Sequence, residues 1–121
     1  METNDESVIQ ALVTVATETF RVSMVFNKAL SKLDAEDRQR YSSQFSWFLK
    51  RVTTSLERAG ITLVSLEGSA FEPGDAIVPL NINDFTAEDP LIIQQMIEPI
   101  VMCNGSVLKS GTALLERTDE K

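Results

Sequence analysis

Leu56-Glu57-Arg58-Ala59-Gly60-Ile61-Thr62-Leu63-Val64-Ser65-Leu66 is where this chain changes its period, and the change decides the fold. Before Gly60 apolar residues recur every three or four positions, the spacing of one face of a helix. After it comes a short run rich in β-branched residues, which reads as a strand. Gly60 stands where a helix commonly ends, because glycine adopts the left-handed conformation that closes the last turn at no steric cost.

Upstream of the break, Tyr41, Phe45, Phe48, Val52, Leu56 and Ala59 recur at near-heptad spacing, and Trp47 and Leu49 widen the stripe. Asp34 offers this helix an N-cap, and Glu36 and Asp37 fall in its first turn, where the helix dipole favours negative charge. An earlier helix is expected over about Asp5 to Leu33. It carries one apolar register at Val8, Leu12, Val15, Val22, Phe26 and Leu33, and a second at Ile9, Val13, Ala16 and Phe20. Its start is capped either by Ser7, with Gln10 completing a capping box, or by Asp5. Two such helices, each roughly 40 Å long and joined by a very short turn, form an antiparallel hairpin. Two registers on the first helix are more than one partner helix covers, so the pattern favours a homodimer in which two hairpins make a four-helix bundle.

Downstream, Ile61 to Leu66 is the first strand, Glu67-Gly68-Ser69 a turn, and Ala76 to Ile82 a second strand, in which Pro79 demands an edge position. Asn83 to Pro90 reads as a polar loop anchored by Phe85. Leu91 to Cys103 is a long apolar stretch broken by Pro99, read as a bent or bulged strand with a helix as the alternative. Asn104-Gly105 is the strongest hairpin signal in the chain and leads into a strand over Ser106 to Glu116. The tail from Arg117 to Lys121 is expected to fray. The expected class is α+β: a helical hairpin over 1–60, then a small β-rich domain over 61–121.

Composition narrows function by exclusion. Histidine is absent, which removes the commonest general base and the commonest metal ligand. Cys103 is the one cysteine, so neither an intramolecular disulfide nor a cysteine zinc site can be built. Residues 1–60 carry eight acidic and eight basic side chains, whereas residues 61–121 carry ten acids against Lys109, Arg117 and Lys121. The whole net charge of −7 therefore belongs to the second half. That balance disfavours nucleic acid and anionic membrane as partners and suits a basic protein surface. An acidic N-terminus and the lack of an uninterrupted apolar run of about 20 residues give a cytoplasmic expectation.

Candidate chemistry is sparse. The carboxylate pairs Glu72 with Asp75 and Glu88 with Asp89 have the composition of an acid–base or cation site, yet each lies in an expected turn beside Pro or Gly, where acids cap loops. Cys103 has no basic neighbour and reads as a small buried hydrophobe. Tyr41, Phe45, Trp47 and Phe48 form an aromatic cluster whose second pair is harder to cover, leaving an interface candidate. No enzyme activity, metal or cofactor is expected.

The order Leu56-Glu57-Arg58-Ala59-Gly60-Ile61, then Gly68-Ser69-Ala70-Phe71-Glu72-Pro73, Ala76-Ile77, and finally Ile100 to Gly105 with Val107-Leu108 and Gly111, resembles the C-terminal part of GrpE, the nucleotide-exchange partner of DnaK-type chaperones. In the resemblance, which covers about residues 41–117, Phe71-Glu72-Pro73 stands for the family's Phe-Asp-Pro, Ala76-Ile77 for Ala-Val, and Gly105 for the glycine of Gly-Tyr. The chain departs from the family in several places. No histidine follows Pro73, the spacing from Pro73 to Ala76 is shorter, Ser106 replaces the tyrosine, and Thr112 and Leu115 stand where arginines are expected. Only one expected helix precedes the matched region.

The resemblance implies docking on a DnaK-type chaperone through Phe71, Glu72, Pro73, Ile77, Gly105, Val107, Leu108 and Gly111. It also implies a homodimer, with Leu12, Phe20, Phe26, Phe45, Trp47 and Phe48 as the interface. The alternative is a non-catalytic interaction module, an adaptor, assembly factor or secretion-type chaperone, with an acidic β face. Gly105 to Leu114 also has the outline of a lipoyl- or biotinyl-carrier hairpin, but lacks the modifiable lysine at its turn.

Overall fold

The computed structural model describes residues 5–118. Two helices, α1 (Asp5–Leu30) and α2 (Ala35–Arg58), precede six strands: β1 (Ile61–Val64), β2 (Ile77–Pro79), β3 (Leu91–Glu98), β4 (Ile100–Cys103), β5 (Ser106–Lys109) and β6 (Gly111–Arg117). The fold is α+β, and the chain divides into two compact units, Met1–Thr62 and Leu63–Lys121.

The first unit is the helical hairpin. Asp34 caps α2, its Oδ1 accepting from the Asp37 N–H at 2.8 Å. α1 stops at Leu30, three residues before the expected end, because the reversal consumes its last turn. Lys32 and Leu33 donate back to the Ala29 and Leu30 carbonyls, and the Arg38 guanidinium holds the Leu33 carbonyl at 3.0 Å. Ser7 lies inside α1, so the Ser7–Gln10 capping box does not form, and Asp5, the alternative cap, is the first residue of the helix itself. At the other end Gly60 takes a φ of 83°, the left-handed closure expected of it. The helices run antiparallel, with the Phe26 and Phe45 rings 4.5 Å apart near the turn.

Of the two apolar registers on α1, the second turns inward. Val13 and Ala16 are buried together with Thr17 and Leu30, while Val8, Val15 and Val22 of the first register are exposed. On α2 only Leu56 is buried.

The second unit carries two three-stranded sheets, ordered β1-β4-β5 and β2-β6-β3. Three expected strands are corrected. The segment Ala76 to Ile82 is a strand only over Ile77–Pro79, followed by a 3-10 turn at Ile82–Asp84. The backbone ladder to β6 runs on through Leu80, whose N–H donates to the Ala113 carbonyl at 2.9 Å, and the Asn81 side chain then takes over. Its Nδ2 donates to the Leu115 carbonyl at 3.0 Å, and its Oδ1 accepts from the Leu115 N–H at 2.9 Å. Leu91 to Cys103 is two strands in different sheets, with Pro99 buried at the corner between them. Ser106 to Glu116 likewise divides at Ser110 into β5 of one sheet and β6 of the other.

β6 is the central strand of its sheet, parallel to β2 and antiparallel to β3. Its inward residues Ala113 and Leu115 are buried with Ile77, Ile93, Met96, Ile100 and Val101. Arg117 belongs to β6 and the Thr118 N–H donates to the Pro90 carbonyl at 2.9 Å, so the chain is still held where fraying was expected to begin. Residues 119–121 of that tail lie outside the described residues.

Candidate functional site

The segment Phe71–Ile77 is a closed knot built by local hydrogen bonds. Glu72 N–H donates to Asp75 Oδ2 at 3.0 Å, Asp75 N–H returns to the Glu72 carbonyl at 3.0 Å, and Ile77 N–H reaches the Asp75 carbonyl at 2.7 Å. An aspartate that bonds backbone a few residues away is the usual device for fixing such a turn. One end hangs on β3, through Phe71 N–H to the Leu91 carbonyl at 2.9 Å. The other end enters β2, where Ile77 lies opposite Gly111 on β6. The β2–β6 pairing therefore joins the two segments that the sequence singled out.

Asn104 and Gly105 make the two-residue turn between β4 and β5, both with positive φ, 51° and 89°. That pair of conformations matches a hairpin's twist and explains why these two residue types stand there.

The expected partner-binding residues fall into two groups. Glu72, Pro73, Gly105, Val107 and Leu108 are exposed and Phe71 is half-buried. Ile77 and Gly111 are buried, so they shape the site from beneath and are not available to touch a partner.

The aspartate of each carboxylate pair serves its own loop. Asp75 closes the knot. Asp89 accepts from Thr86 N–H at 2.9 Å through Oδ2, and its Oδ1 lies 3.6 Å from Arg117 Nε. Among the described residues no group of three or more acidic or cysteine side chains is placed to hold a metal ion. Cys103 is half-buried, with the Asn104 amide 3.7 Å from its sulfur.

The hairpin presents a different surface. Phe26, Phe45 and Phe48 form a run of ring contacts, Phe45 to Phe48 at 5.8 Å between centroids. Of the expected interface residues, Leu12, Phe20, Phe26 and Phe45 are half-buried within the hairpin, whereas Trp47 is 65% exposed and Phe48 is also exposed. The Arg51 guanidinium lies 5.1 Å from the Trp47 ring centroid, a cation–π contact from the next helical turn. An open groove of about 420 Å³ runs beside them, lined by Leu12, Val15, Trp47, Phe48, Val52 and Leu56 among others. Val8, Val15 and Val22, seven residues apart and all exposed, continue this apolar surface along α1. These valines are part of the interface candidate that the aromatic cluster alone did not indicate. Their heptad spacing was the available signal. Over Glu6–Leu30 the helix is also long and apolar enough, by length and composition, to cross a membrane.

No family model, no curated protein and no solved structure matches this chain.

Proposed function

We propose that this protein acts by binding other proteins and not by catalysis, as a cytoplasmic GrpE-like co-chaperone that docks on the nucleotide-binding domain of a DnaK-type chaperone and promotes adenine nucleotide release. The observation that carries the reading is the pairing of Ile77 with Gly111, which joins the two segments that resemble the family. On those two segments, Glu72 and Pro73 from the knot and Val107 and Leu108 from β5 are exposed. The α+β layout, helices first and a small β unit second, is the one the resemblance implies.

Mechanistically, the protein would spend its binding energy on the open form of the chaperone's nucleotide cleft. A partner that binds one of two conformations better shifts the equilibrium toward it, here at the expense of nucleotide affinity. The protein needs no reactive group of its own for this.

Release of a fluorescent adenine nucleotide from a DnaK-type chaperone, followed with and without excess protein, tests the reading. Faster release is expected, reduced at least about tenfold by Leu108→Ser, as for an anchor residue at an interface. An unchanged release rate with an active chaperone would sink the exchange-factor reading. The second reading, an adaptor-type interaction module, is favoured by the apolar groove of the helical unit, which lies on neither the knot nor β5.

A further inference from the structure

One face of the β2-β6-β3 sheet is turned away from the core and carries Val78 and Leu114 among polar neighbours. Ile77, Ala113, Leu115, Ile93 and Met96 point to the buried side. The alternate residues form the other side. Val78 lies opposite Thr112, which has Glu98 and its partner Lys109 on its other side, Leu114 follows on β6 opposite Gln95, and Leu80 stands in the turn just past β2, its N–H still on the Ala113 carbonyl. Val78 and Leu80 are 51% and 55% exposed, and Thr112 and Leu114 are half-buried. Beyond Leu114 on the same face stands exposed Glu116, and the segment after Leu80 turns through Asp84.

The free sheet edges resist strand addition. On β2, Pro79 has no N–H and the Ile77 N–H is already bonded within the knot. On the far side of β3, residues 68–71 are laid down as backbone, with Gly68 N–H on the Ile93 carbonyl and Ile93 N–H on the Ser69 carbonyl. A partner of this sheet must therefore meet side chains on the face, not backbone at the edge. With strand addition blocked, an amphipathic α-helix packed on the face is a layer that covers it through side chains alone.

Charge specifies the kind of helix. Within Leu63–Thr118 the only cations are Lys109 and Arg117, and each is held by an acid, Glu98 at 3.1 Å and Asp89 at 3.6 Å. Glu67, Glu72, Asp75, Asp84, Glu88 and Glu116 have no cation within ion-pairing distance among the described residues. We infer that the outer face of the β2-β6-β3 sheet docks an amphipathic helix of a partner protein, with aliphatic residues set on Val78, Leu80 and Leu114 and Lys or Arg residues flanking them. This goes beyond the co-chaperone reading, since it involves neither nucleotide nor the knot and β5.

The test is a titration of the isotope-labelled full chain with a synthetic helical peptide of about 18 residues, leucines on one face and lysines beside them, monitored by amide NMR shifts. Two control peptides accompany it, a scrambled one of the same composition and one with glutamates in place of the lysines. Shifts are expected to concentrate on Val78, Leu80, Thr112 and Leu114. Affinity should fall at least about tenfold with Leu80→Ser, with the milder Val78→Thr in the same direction, and with the glutamate peptide. Equal binding of the scrambled peptide would reduce the effect to net charge and overturn the inference. So would shifts confined to α1 and α2, or an affinity indifferent to both substitutions. No chaperone is present, so failure of the exchange assay leaves this outcome unaffected.

Discussion

Gly111 shows how much one residue decides in the β unit. A Cβ built on it would lie 2.7 Å from the Glu98 carbonyl oxygen, 2.8 Å from Met96 Cε and 3.1 Å from the Ile100 nitrogen. Met96 can give way at its flexible end, but the Glu98 and Ile100 contacts are backbone on either side of buried Pro99, where the chain passes from one sheet to the other. Glycine is needed here for close approach, since its φ is not in the left-handed region. Gly111→Ala is therefore expected to destabilise the protein by about 1–3 kcal/mol through overpacking, read as a lower urea midpoint at unchanged slope. A midpoint equal to that of the unsubstituted protein would mean that the corner relaxes freely. From sequence, Gly111 enters as a partner-binding residue that the resemblance implies. Its actual role depends on Glu98 and Ile100, which only the tertiary fold brings to it.

At the scale of elements, the recurrent lesson is that strands here end where the backbone changes sheets. The helical half was legible almost to the residue, because Asp34 and Gly60 carry their capping chemistry in their own side chain and backbone. The Asn104-Gly105 hairpin was legible for the same reason, and Pro79 did stand on an edge strand. The divisions at Pro99 and Ser110 were not, since apolar periodicity continues through a corner when both sheets bury their residues in one core. For the candidate site, the exposed parts of the knot and β5 were named from sequence, whereas the burial of Ile77 and Gly111 follows from a pairing between distant segments.

Asn81 belongs to the same scale, because its amide extends β2 after the backbone has turned away. Asn81→Ala removes both partners of Leu115 at once, and leaving a part-buried donor and acceptor unmet costs on the order of 1–3 kcal/mol. The loss should be local as well as global. Hydrogen exchange at Leu115 is expected to quicken more than at Ile93, and equal quickening at both would show that Asn81 contributes nothing specific to this ladder.

For the molecule as a whole, the division of charge says where self-association belongs. Residues 61–121 hold the entire net charge of −7, so two β units repel each other, while residues 1–60 are balanced and can approach a copy freely. The balanced part is also the one with uncovered apolar surface. α2 has 24 residues and buries only Leu56, and Val15 on the facing helix is 54% exposed beside Trp47 and Phe48. A two-helix unit so poorly covered is marginal alone, because most helical stability in proteins comes from packing an apolar face. Burying a valine or phenylalanine side chain contributes roughly 1.5–3 kcal/mol, so a few such residues on each copy offset the cost of association. The expectation is a homodimer through the hairpins, with sedimentation equilibrium giving twice the chain mass. The melting temperature of the helical circular dichroism signal should rise with protein concentration, as it does when folding and assembly are linked. Val15→Asp and Phe48→Ser should each weaken the dimer at least about tenfold and flatten that dependence. Because the contact is apolar and made by the net-neutral half, raising salt should leave the dimer intact or tighten it. A single-chain mass at every concentration, or a dimer that both substitutions leave unchanged, would move the interface off the hairpin and leave its groove for another protein.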